Sequence, residues 1–306
     1  MTIKVFGHRS PDTDSTGSPI LWAWYLNEIK GQQAEAVLLG EPNTEAAFML
    51  KRWDLPKPAI ISNVANDEPV VIVDTNNPAE LPDNINNADV RAIIDHHKLV
   101  GGLETKGPID ITVRPLACTA TIMIDLMGDD AAGMPDWAKA AALTCILSDT
   151  MEFRSPTTTD HDRAVAEKLA ADLQIDIPAY AAEMFAAKSD VSSFSDVELL
   201  RMDSKEYAID GTKFRVSVLE TTAPGVILNR KDSLTASMVD VAAEDGVDQV
   251  LLFVIDILNE EATLLVPNDL VKTVAEKSFA AHVAGDTVVL PGILSRKKQI
   301  IPNLKV

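Results

Sequence analysis

Several apolar runs in the first hundred residues end on side chains that bind metals or move protons. IKVFG leads into HRSPDTDS, which carries His8, Asp12 and Asp14. VVIVD ends on Asp74, and VRAIIDHHK carries Asp95, His96 and His97. The chain has only five histidines, so three of them at such ends is a concentration. Charge limits what this set can do. Four aspartates crowded into one crevice cannot all ionise without a compensating cation. Imidazole together with carboxylate suits Mn, Co, Zn or Fe better than the oxygen cage of Ca or Mg. The donors outnumber the needs of one ion; two ions sharing a bridging carboxylate, roughly 3.5–4 Å apart, would use them all. The residues alone leave plainer uses open. Asp14 or Ser15 could cap the helix that follows, and Asp95 could orient a ligating imidazole without touching the metal.

For these ends to converge, the elements before them must form one sheet. IKVFG (3–7), AEAVLLG (34–40), AIISN (59–63), VVIVD (70–74) and VRAIID (90–95) read as short apolar strands. Helical stretches separate or follow them at 16–30, 43–53 (with Asn43 as N-cap), 118–128, 136–148, 160–172 and 178–187. Apolar strands alternating with helices predict a parallel sheet covered on both faces. Ligands of such sheets bind beyond the carboxyl ends of the strands. A polar stretch, AAKSDVSSFSD (186–196), interrupts the pattern. Beyond it, KEYAIDGTKFRVSVLET reads as a hairpin turning at Asp210-Gly211. A helix near 232–245, strands at 248–256 and 261–267, and a helix near 268–280 follow. The expected fold is α/β: an N-terminal domain (1–187) with a parallel sheet flanked by helices, a linker (188–195), and a smaller C-terminal α/β domain (196–306) with a mixed sheet. His161 is expected in the first turn of a helix, and His282 on a helix surface or in the core, without function.

Bulk properties narrow the function. The formal net charge is −19, and the one basic cluster is SRKK at 295–298. A nucleic-acid or membrane-surface binder needs a broad basic face, which is missing here. A chain this acidic that handles an anion must gather positive charge locally, through metal ions and a few Lys or Arg. Cys118 and Cys145, the two cysteines, lie in apolar stretches and are expected as buried free thiols in a reducing cytoplasm. No run of 18 apolar residues occurs, so no membrane segment is expected.

GHRSPDTDS, DHH, SDTMEFRSPTTTDHD and SRKKQIIP, in this order and spacing, resemble the manganese-dependent (family II) inorganic pyrophosphatases of the DHH phosphoesterase superfamily. The resemblance spans essentially the whole chain. It implies a DHH catalytic domain and a DHHA2-type substrate-binding domain. It further implies hydrolysis of pyrophosphate by a metal-bridged hydroxide at a two-metal site. By motif, His8, Asp12 and Asp74 would hold one metal; Asp14, Asp74, His96 and Asp149 the other. Lys205, Arg296 and Lys297 would hold the phosphates, and His97 would act on the substrate. The implied cofactors are two Mn²⁺ per subunit, with Co²⁺ as a substitute, and Mg²⁺ arriving with the pyrophosphate. The implied assembly is a homodimer. Consecutive side chains of an extended strand point to opposite faces; His96 and His97 are therefore expected on opposite sides of the backbone, with different tasks. One departure stands out: many family members read Asp-His-Asn-Glu where this chain has Asp74-Thr75-Asn76-Asn77. Rival readings are weaker. The Gly-Gly-Gly-His motif typical of nucleic-acid members of the superfamily is missing, as is the Gly-x-Gly-x-x-Gly of dinucleotide binders.

Overall fold

The computed structural model describes residues 1–306, which divide into two compact units, Met1–Lys188 and Ser189–Val306. In the first unit, β1 (Ile3–Phe6), β2 (Ala34–Leu38), β3 (Ala59–Ile60), β4 (Pro69–Val73), β5 (Asp89–Asp95) and β6 (Asp110–Val113) form one sheet. Its order is β3-β2-β1-β4-β5-β6, and every pairing is parallel. The expected parallel sheet is therefore present. The order reverses between β1 and β4, which pair through Lys4–Phe6 and Val70–Ile72. At such a switch point the loops diverge to opposite faces and leave a crevice at the carboxyl end. β4 is buried along its whole length, and each fully buried Val or Ile contributes about 1.5–3 kcal/mol. This is why β4, covered on both sides, carries no polar residue until Asp74 follows it.

The helices of this unit are α1 (Thr13–Trp24), α2 (Thr44–Arg52), α3 (Thr119–Met127), α4 (Asp136–Asp149), α5 (Asp160–Leu173) and α6 (Ile177–Lys188). α1 starts three residues before the expected position, because Asp12 caps it by accepting the Ser15 N–H at 2.9 Å. It ends in a π-helical turn, Tyr25–Ile29. Asn43 caps α2 as expected. Two glycines permit the close approaches that bring α1 to the site. A Cβ on Gly7 would lie 1.8 Å from Ser15 Oγ, and one on Gly17 2.4 Å from Cys145 Sγ. The first holds the β1 end against the start of α1; the second lets α1 pack tightly on α4. β6 escaped the sequence reading because it is an edge strand with largely exposed side chains and no apolar run.

In the second unit, a mixed five-stranded sheet has the order β11-β10-β9-β8-β7. The strands are β7 (Ser204–Ile209), β8 (Thr212–Thr221), β9 (Gln249–Asp256), β10 (Glu261–Leu265) and β11 (Thr287–Pro291). The expected hairpin is present as β7–β8, with Asp210 and Gly211 both at positive φ. The fully buried β9 lies parallel to β8 and antiparallel to β10. The helices are α7 (Asp196–Met202), α8 (Pro224–Leu228), α9 (Lys231–Asp245) and α10 (Asp269–Phe279). His161 stands in the first turn of α5 as expected, bonded to Asp125 at 2.7 Å. His282 corrects the expectation: α10 stops at Phe279, and His282 is exposed in the irregular segment beyond it.

Candidate metal centre

The crevice beyond β1 and β4 gathers the six residues expected at the metals. His8, Asp12 and Asp74 form one group of donors, and Asp14, His96 and Asp149 a second. Asp74 is shared, since it also groups with His96 and His97. Its Oδ2 lies 3.5 Å from His8 Nε2 and its Oδ1 3.3 Å from His96 Nε2. Asp74 takes positive φ at the end of β4, a conformation that Asp tolerates better than most residues. His8 Nε2 also lies 3.5 Å from Asp12 Oδ2. His96 Nδ1 lies 3.2 Å from the Leu116 carbonyl. Donation to that carbonyl leaves Nε2, which faces Asp74, free to ligate.

The electrostatics fit a cation. Asp74 is buried and Asp149 half-buried; desolvation first, then the charges of Asp14 and Asp12, push both carboxyls well above their ordinary range. Asp149 Oδ2 is buried with no hydrogen-bond partner. An unpaired buried carboxylate oxygen amid like charges is costly, and metal coordination relieves it. The donor set of imidazole and carboxylate suits manganese. At the rim, burial would raise Asp12, but His8, the Ser15 N–H and the Lys188 charge outweigh it and hold Asp12 low. Burial would likewise lower His8, yet Asp12 and Glu80 raise it.

The two adjacent histidines do not point apart. Their ring centroids are 4.2 Å apart, and both face Asp74 Oδ1, with His97 Nδ1 at 3.8 Å. The expectation from alternation fails because the chain is no longer extended beyond β5. The buried Asp95 carboxylate accepts the backbone N–H of both His96 (2.8 Å) and His97 (3.0 Å) and turns the chain. The same Oδ1 holds the His97 ring at 2.9 Å. The Asp95 hydrogen bond raises the His97 pKa. Asn76 donates to Asp95 Oδ2 and to the Lys98 carbonyl, and accepts the Val100 N–H. The retained asparagine of the altered DTNN stretch thus clamps the turn. Thr75 donates to Glu80 at 2.6 Å.

Other contributors were not singled out in the sequence. Thr119, at the start of α3, donates its N–H to Asp14 Oδ2 (2.7 Å) and its hydroxyl to Asp74 Oδ1 (3.3 Å). Ser18 donates to Asp14 Oδ1 at 2.6 Å; its i+4 spacing on α1 could have flagged it. Asp162, in the SPTTTDHD motif, closes the capping box of α5 and accepts the Ala117 N–H. It thereby fixes the segment that delivers Thr119.

Within the second unit, Lys205, Arg296 and Lys297 line one cavity of about 550 Å³ with Asp203, Tyr207 and Glu220. Lys205 and Tyr207 share a face of β7. Arg296 and Lys297 open a π-helical turn, Arg296–Ile300. Arg296 donates from both Nη atoms to Asp203, to its carbonyl (2.8 Å) and its Oδ1 (2.7 Å).

The DHH family N-terminal domain matches residues 2–148, and the DHHA2 domain residues 182–306. A Deinococcus radiodurans relative named "Probable manganese-dependent inorganic pyrophosphatase" is 37% identical, over 99% of this chain and 98% of its own length. The chain belongs to the manganese-dependent (family II) inorganic pyrophosphatases. A Lactobacillus helveticus family member with the same name is 34% identical over 98% of this chain and 96% of its own. The crystal structure of a Methanococcus jannaschii protein assigned to family II inorganic pyrophosphatases matches with a TM-score of 0.62 and 31% identity. It covers 99% of this chain and 98% of that one. Family membership agrees with the resemblance drawn from HRSPDTDS, DHH and SRKKQ.

Proposed function

We propose that this chain hydrolyses inorganic pyrophosphate to two orthophosphates with manganese as its cofactor. The observation that carries the reading is the half-buried donor cluster, in which Asp74 is shared and Asp149 keeps a buried, unpartnered oxygen. The names of the full-length relatives support the substrate. In this reading residues 1–187 form the catalytic domain, 188–195 the linker and 196–306 the substrate-binding domain. His8, Asp12 and Asp74 hold one Mn²⁺, and Asp14, Asp74, His96 and Asp149 the other. Co²⁺ can substitute, and Mg²⁺ accompanies the pyrophosphate. When bound, the ions neutralise phosphate charge and lower the pKa of the attacking water. Asp95 orients the His97 ring, so His97 offers a proton or a hydrogen bond to the substrate. Water adds to one phosphorus, the bridging P–O bond breaks, and Lys205, Arg296 and Lys297 stabilise charge on the departing phosphate. Arg contributes a planar fork and Lys a point charge. The buried free thiols Cys118 and Cys145 suit a reducing cytoplasm.

Phosphate release from pyrophosphate, assayed with Mn²⁺, Co²⁺ or Mg²⁺ alone and combined, tests the reading. No release with any of them rejects it, and faster release from long polyphosphate would move the chain to another substrate. The two histidines should separate in the same assay. His96→Ala should weaken Mn²⁺ binding about 10- to 100-fold. His97→Ala should leave Mn²⁺ affinity nearly unchanged and lower kcat about 100-fold or more. Equal loss of metal in both variants would refute the division.

The homodimer implied by the family has a fitting surface. β6 is an open sheet edge with exposed Ile111 and Val113, and exposed Leu99 and Val100 belong to the same unit. An apolar open edge invites pairing with another strand. Ile111→Lys should therefore yield monomers by sedimentation; an unchanged dimer would place the interface elsewhere.

A further inference from the structure

Glu45 is fully buried in the first turn of α2 and belongs to no motif. Its Oε2 accepts a hydrogen bond from Ser148 Oγ at 2.9 Å and forms an ion pair with Lys188 Nζ at 2.9 Å. Its Oε1 is buried without a partner. Lys188 is therefore the one cation paired with this carboxylate. Both partners occupy significant places. Ser148 immediately precedes Asp149 at the end of α4. Lys188 is the last residue of α6 and of the first unit, and its carbonyl accepts the Thr44 hydroxyl at 3.3 Å. Asn43, which caps α2, also donates its N–H to the Pro11 carbonyl, next to Asp12. A single buried oxygen thus joins α2, α4 and α6 behind the cluster.

We propose that Glu45 and Lys188 are positioning residues for the metal centre: the pair holds Ser148, and through it Asp149, against the start of α2. The inference rests on the reading of Asp149 as a manganese ligand. Removing Lys188 leaves a buried, uncompensated charge. Glu45 must then shift towards water or draw it in, and the Ser148 bond moves with it. Asp149 has no hydrogen bond to its own Oδ2 that could resist the displacement.

The test is Mn²⁺ binding by titration calorimetry, without substrate. Lys188→Met should weaken Mn²⁺ about tenfold, and Lys188→Arg should restore most of the loss. Glu45→Gln keeps an acceptor for Ser148 and should cost about threefold or less; the double variant E45Q/K188M should be no worse than Glu45→Gln alone. That recovery is the signature of charge compensation, and the double variant remains informative if Lys188→Met folds poorly. Mn²⁺ affinity within about twofold of wild type in folded Lys188→Met, or additive losses in the double variant, would overturn the proposal. A wild-type chain that binds no Mn²⁺ would instead overturn the metal reading beneath it.

Discussion

Asp74→Asn is expected to abolish manganese binding and, with it, about a thousandfold or more of the pyrophosphatase activity. Asp74 faces His8 through one oxygen and His96 through the other, so its loss removes the donor that links the two imidazoles. Asn offers one neutral oxygen in place of two charged ones. The stability effect should change sign with the metal. Saturation at about a hundred times Kd stabilises a protein by roughly 2.7 kcal/mol, which corresponds to a Tm rise of about 5–10 °C for a unit of this size. Wild type should show that rise with Mn²⁺, and Asp74→Asn should show none. Without metal, the variant should melt higher than wild type, because it removes one buried negative charge from a crowded set. A metal-free variant that melts lower would mean the carboxylate is stabilised by groups other than a cation.

The pH dependence follows from the same crowding. Burial and the charges of Asp14 and Asp12 hold Asp74 well above the ordinary carboxyl value of 3.8 in the metal-free protein. A carboxyl raised on folding lends stability that is complete below its unfolded pKa and is lost as pH rises through the folded one. The advantage of metal-free Asp74→Asn over metal-free wild type should therefore grow as pH rises from 3.8 through the raised folded value. Chelator-treated melts across that range measure it directly. Bound Mn²⁺ should remove the trend, since it stabilises the ionised form.

The sequence exposed the parts of this site that depend on residue type at a strand end. The last residues of β1, β4 and β5 are apolar and buried up to the site, so His8, Asp74 and the DHH stretch stood out against them. Asp12 and Asp14 stood out in the same way after β1. Asp149 did not, because it ends an apolar helix, and only the family motif pointed to it. Thr119 and Ser148 were hidden for a different reason. Threonine and serine are common anywhere, and the partners of these two lie 105 and 103 residues away in the chain. The relation of His96 to His97 was misjudged because alternation holds only while a strand lasts. Asp95 ends β5 and folds the next two N–H groups onto its own carboxylate, and this local bond decides where both rings point.

The altered DTNN stretch gains a physical reading from these contacts. Asn76 is a clamp on the DHH turn, and its hydrogen bonds explain how that turn keeps its shape. Thr75 meets Glu80 across a short 3₁₀ turn, Pro78–Glu80. The Arg9 N–H donates to the Glu80 carbonyl at 2.9 Å, tying this turn to the segment between His8 and Asp12. A carboxylate is thus still brought near His8, where its charge acts on that imidazole. Local order at this end of β4 therefore rests on Thr75, Asn76 and Glu80.

The second large effect is expected from the other unit. Arg296→Ala should lower kcat/KM about 100- to 1,000-fold while leaving the manganese-dependent Tm rise intact. The donors proposed for the metal all belong to Met1–Lys188, whereas Arg296 lines the basic cavity within Ser189–Val306. Asp203 fixes the guanidinium through its carbonyl and its carboxylate, so the fork is oriented before any anion arrives. A preoriented charge stabilises developing phosphate charge without reorganisation. Arg296→Lys should recover little, because a single ammonium cannot keep both Asp203 bonds in the same plane and also present a donor pair to phosphate. Asp203→Ala should share part of the Arg296→Ala loss by freeing the side chain, and the double variant should lose no more than Arg296→Ala alone. Full activity in Arg296→Ala, or loss of the metal-dependent Tm rise along with activity, would remove the basic cavity from phosphate binding.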